Sequence, residues 1–246
     1  MKKSQILCYS LLVLLSITAI SCASPEEKSV HQEIEKRTNE IFNKLAEIRR
    51  DFYQNPELSG NEKRTSKLIR EYLLNLGLEV KTGVGGYGVI GILKGGKKGK
   101  NIAWRADMDA IPNDFPDETP YKSKIKGVQH GCGHDVHLAI GLGIAEVLSK
   151  SKETIHGTIY FIFQPEEETF VGAKNIVNSD LYSVMDIDEI YALHVTALPV
   201  GQIMVKPNEL YAYQKIIQLK FNSELSKEDA QVLHNRMRNE TLRRKR

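Results

Sequence analysis

The sequence predicts an α/β fold with a mixed, largely parallel sheet flanked by helices. Two observations carry this expectation. Short apolar runs of strand length, such as 89–93 and 158–163, alternate with stretches of helical period, such as 62–76 and 138–148. Three of the strand-like runs also stop at acidic or histidine residues: Asp107 and Asp109, then Glu166, Glu167 and Glu168, then His194. Open α/β sheets bind ligands beyond the carboxyl ends of their strands, so chemistry is expected there.

Composition bounds the reading. The 246 residues are 41% hydrophobic and 26% charged, which suits one globular domain with part of a second. The net charge of +3 is unevenly placed. Residues 236–246 hold six basic residues and one acid, leaving 28 basic and 30 acidic residues elsewhere. A nearly neutral body gives no reason to expect a nucleic-acid partner, and the basic tail reads as a solvated terminus. Cys8, Cys22 and Cys132 fall in three different contexts and form no disulfide framework.

Taken in order, the chain opens with a targeting pattern. Lys2 and Lys3 precede a largely apolar run, 6–20, which ends in Ala19-Ile20-Ser21-Cys22. The run is too short for a comfortable membrane span and reads as a signal peptide over 1–21. Its ending resembles a bacterial lipoprotein signal. That resemblance implies export to the cell envelope and anchoring to a membrane through lipidated Cys22. Residues 22–33 then read as a polar tether.

Ile34, Ile41, Leu45 and Ile48 recur at helical spacing up to Tyr53, and Asn55-Pro56 ends the helix. A second amphipathic helix spans 62–76, with Leu68, Ile69, Tyr72 and Leu73 inward and Gly77 as its stop. Residues 78–80 form a short strand and 83–88 a Gly-rich turn. A strand at 89–93 and a basic turn at 94–100 follow, then a buried strand over 101–106. A loop with Pro112, Pro116 and Pro120 leads to the helix at 138–148. Beyond it lie the strand 158–163, a helix over 171–177, a short buried strand at 189–193 and a further strand at 202–205.

The densest chemistry is Gln129-His130-Gly131-Cys132-Gly133-His134-Asp135-Val136-His137, with three histidines, a thiol and a carboxylate in nine residues at a turn into a helix. A thiolate, imidazoles and a carboxylate are the groups a metal site needs. Adjacent glutamates after a buried strand suit the same chemistry. One can bind a metal while its neighbour stays free as a general base.

The combined segments resemble the metal-dependent amidohydrolases related to aminoacylase and carboxypeptidase, in the branch of hippurate hydrolase and indole-acetyl-amino-acid hydrolase. The resemblance is carried by Arg49-Arg50 with Asn55-Pro56-Glu57-Leu58, by Arg105-Ala106-Asp107-Met108-Asp109-Ala110-Ile111-Pro112 and by His130 to His137. Phe163-Gln164-Pro165-Glu166-Glu167-Glu168 and Leu193-His194-Val195 complete it. It implies a zinc-peptidase-like catalytic domain over 34–205 holding two divalent ions, Zn, Mn, Co or Ni. Cys132, His134, Glu168 and His194 match its metal ligands, with the Cys132 thiolate bridging. Glu167 matches the general base that works with a metal-activated water, and Asp107 an acid that orients the site. The implied reaction is hydrolysis of the amide bond of an N-acyl amino acid or a related small peptide.

Three departures from the family pattern stand out. Tyr53 replaces a usual His. Glu166 replaces a usual Ala, and its charge is expected to raise the Glu167 pKa if it lies close. The segment 206–246 reads as a remnant of a truncated α+β lid and dimerisation domain, with 211–221 as its first strand, followed by the basic tail. The missing lid argues against the family's usual dimer. It also leaves a non-catalytic fragment, or a metal- or ligand-binding lipoprotein, as the alternative reading.

Overall fold

The structure, a computed structural model, describes residues 25–205, 226–229 and 231–233. The expected signal at 1–21, the lipidation site Cys22, the lid strand at 211–221 and the basic tail at 236–246 lie outside the described residues. The chain divides into two compact units, 1–197 and 198–246. No helix of the described residues is long and apolar enough to cross a membrane.

In the first unit, helix α1 (Pro25–Gln54) and helix α2 (Lys63–Asn75) precede strands β1 (Glu79–Val84), β2 (Gly88–Lys94) and β3 (Lys97–Asp107). A two-residue ladder, β4 (Ile111–Pro112) with β5 (Val128–Gln129), spans the proline-rich loop. Then come α3 (His134–Ser149), β6 (His156–Gln164), α4 (Gly172–Val177), α5 (Asp180–Met185) and β7 (Glu189–Ala192). The main sheet has the order β1-β2-β6-β3-β7. It is mixed: β1–β2 and β2–β6 are antiparallel, while β6–β3 and β3–β7 are parallel.

The strands sort their side chains by face. Val89, Leu93, Phe161 and Phe163 pack with Ile69 and Leu73 of α2 and with Leu138 and Leu142 of α3. Ile90, Ile92, Ala103 and Ile162 face the other way, toward Ile176 of α4 and Met185 of α5. Alternation with period two therefore fills two cores, and β2 and β6 are buried on both faces. Gly143 lets α1 approach α3, since a Cβ there would lie 2.6 Å from Leu45 Cδ1. Beside that contact the apolar residues Ile34, Ile41, Phe42 and Leu45 of α1 line a cleft of about 510 Å³ facing Ile140 and Val147 of α3.

Several expectations need correction. The stretch read as a tether is helical from Pro25 onward. Its Glu, Lys and Gln residues are good helix formers, and polarity alone does not break a helix. The basic turn at 94–100 narrows to Gly95-Gly96, because β3 starts at Lys97 and extends its exposed early residues into solvent. Helix α5 and the β4–β5 ladder were not anticipated; both are short and weakly periodic. Strand β7 is not buried. It lies at the sheet edge, with Ile190 and Tyr191 56% and 50% exposed.

In the second unit, the expected strand at 202–205 is irregular, with only a turn in which Gln202 N donates to Pro199 O. A strand needs a ladder, and 202–205 has no partner strand among the described residues. Further on, Ser226 Oγ accepts the N–H of Asp229.

Candidate metal centre

The parallel register brings the expected residues level. Asp107, the last residue of β3, is paired with Gln164, the last of β6. Arg105 is paired with Ala192 of β7, which places His194 two residues beyond that strand beside Asp107, two residues beyond Arg105. Helix α3 points its start at the same place. Its N-cap, Gly133, has φ 89°, a left-handed turn that glycine adopts without strain. A Cβ there would also lie 2.2 Å from Val195 Cγ2, so the glycine admits the His194 segment.

Six sequence-predicted residues converge. His134 is fully buried, and its Nε2 lies 3.7 Å from Asp107 Oδ1, from Glu167 Oε2 and from Glu168 Oε1. Cys132 Sγ lies 3.5 Å from His194 Nε2. Three sets can hold an ion by proximity, with donor atoms all within 4.8 Å of one another: Cys132, His134 and His194; His134, Glu167 and Glu168; and Asp107, His134 and His137.

Hydrogen bonds decide which imidazole nitrogens are free. His134 Nδ1 donates to the Asp109 carbonyl at 2.8 Å, and His194 Nδ1 donates to the Val195 carbonyl at 2.7 Å. Both leave Nε2 toward the cluster, the tautomer a metal-binding histidine needs. His137 differs. Its Nδ1 donates to Asp107 Oδ1 at 2.6 Å and its Nε2 accepts the N–H of Val195 at 2.9 Å, so both nitrogens are engaged. The third set therefore has no free histidine nitrogen from His137. Arg105 completes the chain by donating to Asp107 Oδ2 at 2.6 Å and to Gln164 Oε1 at 2.8 Å. The result is a run of contacts, Arg105–Asp107–His137–Val195, that fixes the backbone beside His194.

The electrostatics ask for positive charge. Burial opposes charge on His134, yet Asp109, Cys132 and Asp107 together push its pKa up to about 11. Burial likewise raises Asp107, but the His137 hydrogen bond and the charges of His134 and Arg105 outweigh it and lower its pKa to about 2. Burial raises the Glu167 pKa against the pull of His134, and the carboxylates of Asp107 and Glu168 add to the rise. Glu166 is not the cause expected. Its backbone turns to φ 51°, and its carboxylate lies beside Gly60 and Gly86 instead.

The donor set fits divalent ions. His134 Nε2 and Glu168 Oε1 are buried without a hydrogen-bond partner among the described residues. Buried polar atoms left unpaired are costly, and a cation between them would satisfy both. Thiolate, imidazole and carboxylate together suit Zn and its first-row neighbours.

His130, part of the cluster read in the sequence, is buried with both ring nitrogens unpartnered among the described residues, and burial pushes its pKa down to about 3. Two other residues of this region escaped the sequence. Ser59 and Glu62 reach the site from the turn before α2, through Asp109 and the backbone of Glu166 respectively. Their polar character was visible, but only three-dimensional proximity gives it meaning. Tyr53 takes the place of the family's His in a different way. It stacks edge-on against Tyr121 with Arg49 over both rings, while Arg49 Nε donates to Asp135 Oδ2 at 2.6 Å.

Comparison with known proteins gives the family. The model of Peptidase family M20/M25/M40 matches residues 103–241, more than half of the chain. Thermostable carboxypeptidase 2 of Saccharolobus solfataricus is 42% identical over 169 residues, 68% of this chain and 42% of the relative. IAA-amino acid hydrolase ILR1-like 4 of Arabidopsis thaliana is 37% identical over 206 residues, 82% of this chain and 46% of the relative. Among solved structures, the YXEP protein of Bacillus subtilis, described as a dinuclear metal binding peptidase, superimposes with a TM-score of 0.64 at 37% identity. That match covers 68% of this chain and 47% of that one. The chain thus spans about half the length of the curated relatives it matches. On fold, motif order and family match together, the chain belongs to Peptidase family M20/M25/M40.

Proposed function

We propose that this chain carries the metal-binding part of a hydrolase that cleaves the amide bond of N-acyl amino acids or small peptides. The observation that carries the reading is the convergence on one buried point of His134 Nε2 and Glu168 Oε1, both unpaired, beside the Cys132–His194 contact. Cys132, His134, Glu168 and His194 would hold two divalent ions. Bound there, the ions supply Lewis acidity: they polarise a carbonyl and lower the pKa of water.

The protein's own groups do the rest. Glu167 takes a proton from the attacking water at a carboxylate oxygen and delivers it to the leaving nitrogen. Its raised pKa moves it toward the range where both transfers are favourable. Asp107 holds His137, and His137 holds Val195, so the segment bearing His194 keeps its place. The names of the two relatives, a carboxypeptidase and an IAA-amino acid hydrolase, support substrates that end in an amino acid. The export reading of 1–21 rests on sequence alone. Incorporation of labelled fatty acid that disappears in Cys22→Ala would support it.

The deciding experiment loads the full chain with Zn, Mn, Co or Ni, counts bound metal and follows amino acid release from N-acyl amino acids. Two ions per chain and release of the amino acid are expected. Metal binding without turnover would favour the metal-binding form of the non-catalytic alternative. A chain that takes up no metal would overturn the hydrolase reading and leave the non-catalytic fragment or ligand-binding lipoprotein.

A further inference from the structure

The loop that presents the two glutamates is held in a strained backbone. Glu166 and Phe170 sit at φ 51° and 61°, in the left-handed region that residues with a Cβ avoid. Such turns persist only where their surroundings over-determine them. Here two carboxylates grip the loop from behind. Glu62, fully buried, accepts the N–H of Glu166 through Oε1 at 2.8 Å. Asp109 accepts the N–H of Glu168 through Oδ2 at 3.0 Å, and the same oxygen takes the Ser59 hydroxyl at 2.7 Å. The two grips bracket Glu167.

The position of Glu62 makes its role specific. It is the N-cap residue of α2, yet its side chain makes no cap bond to that helix. The first-turn N–H groups of Arg64 and Thr65 are accepted by Glu57, at 3.0 and 2.8 Å. Capping is therefore done by one glutamate, which leaves the other to cross to a loop 104 residues away in sequence. A helix that needed only a cap has no use for a second buried carboxylate, and burying one carries a cost. Burial indeed pushes the Glu62 pKa upward against the backbone hydrogen bonds that lower it.

We propose that Glu62 is a positioning residue for the glutamate loop: its buried side-chain oxygen holds the strained turn at 166–170 in the conformation that aims Glu167 and Glu168 at His134. The inference rests on the reading of Glu168 as a metal ligand. Glu62 acts by accepting a hydrogen bond, so an amide oxygen in the same place serves the purpose, whereas a methyl group does not. Glycine at position 166 should relieve the demand, because it enters the left-handed region without a Cβ clash.

The test uses the full chain as wild type, Glu62→Gln, Glu62→Ala and the double variant Glu62→Ala/Glu166→Gly. Cobalt(II) affinity is measured by competition with a chelator, together with the cobalt absorption spectrum and the thermal midpoint of the ion-free protein. Loss of an outer partner of a metal site typically weakens binding by about 10–100-fold. Glu62→Ala should lose that much and alter the spectrum. Glu62→Gln should bind as wild type does, and the double variant should recover most of the loss. The inference falls if Glu62→Ala binds cobalt like wild type, if Glu62→Gln falls as far as Glu62→Ala, or if Glu166→Gly restores nothing. Should Glu62→Ala not fold, recovery of a folded, cobalt-binding chain by Glu166→Gly supports the anchor, and failure to recover overturns it. A wild type that binds no cobalt would instead sink the metal reading. The thermal midpoints of the same variants would then still test the anchor, with the double variant expected above Glu62→Ala.

Discussion

The two ends of strand β3 hold the same kinds of group and use them in opposite ways. At its start, Lys100 pairs with Glu189 of β7, and nearby Lys94 pairs with Glu79, all in solvent. At its finish, Asp107, Asp109 and His134 are buried within a few ångströms of one another. Water screens the first set, so each pair there contributes little to stability. The second set lacks water, so every charge there fixes the state of its neighbours. Residue type does not separate a surface ion pair from a reactive site; burial and unpaired donor atoms do.

That contrast can be sharpened by substitution, beginning where the effect should be greatest. Glu167→Gln should cut amide hydrolysis by about 10²–10⁴-fold, the usual contribution of a general base, with bound metal retained. Unchanged turnover would remove Glu167 from the mechanism. His134→Asn should follow. Because His134 belongs to all three donor sets, its loss should weaken metal binding by more than the about 10–100-fold typical of an outer partner. Elemental analysis after dialysis would check this.

Removing metal tests the same end without mutation. If free ion stands at 100 times its dissociation constant, stripping it should lower stability by about 2.7 kcal/mol, seen as a lower melting temperature in chelator. Equal melting with and without chelator would argue that no ion is held.

Acid should then act on the ion-free protein through Asp107. Its folded pKa is about 2 against an ordinary 3.8, so the unfolded chain takes up the proton first as pH falls. The stability it contributes is complete above about pH 4 and is lost on the way to about pH 2, on the order of 2 kcal/mol. Denaturant melts of wild type and Asp107→Asn over that range should differ in slope; parallel curves would contradict the shift. At the other end of β3, Lys100→Ala should leave melting temperature and metal content unchanged, since Lys100 is exposed and its partner Glu189 only partly covered.

Much of this was legible in the sequence, for identifiable reasons. The runs at 89–93 and 158–163 are apolar enough to demand burial on both sides, so they could only be inner strands. Asp107, Glu167, Glu168 and His194 stand at strand ends, where convergence follows from parallel pairing. Less local facts were hidden. The exposure of β7 depends on what covers the sheet edge, and Ile190 with Tyr191 reads as buried in any window. Glu62 looked like the first residue of an amphipathic helix, because nothing within ten residues names the distant backbone N–H that it accepts. The turn of Glu166 away from Glu167 depends on a positive φ that a glutamate does not advertise.

The sheet order carries a consequence for the time course of folding. The donor groups are drawn from positions 107 to 194, and they become neighbours only after the β3–β6 and β3–β7 crossovers have closed. Closing long loops before their contacts reward it makes such parallel pairings slow steps. Helices α1 and α2 can form early from local contacts, whereas the Cys132, His134 and His194 set cannot assemble until β7 has docked. The rate at which a refolding chain brings Cys132 and His194 onto one cobalt ion would therefore clock the docking of β7, an event that helix-sensitive spectroscopy would miss.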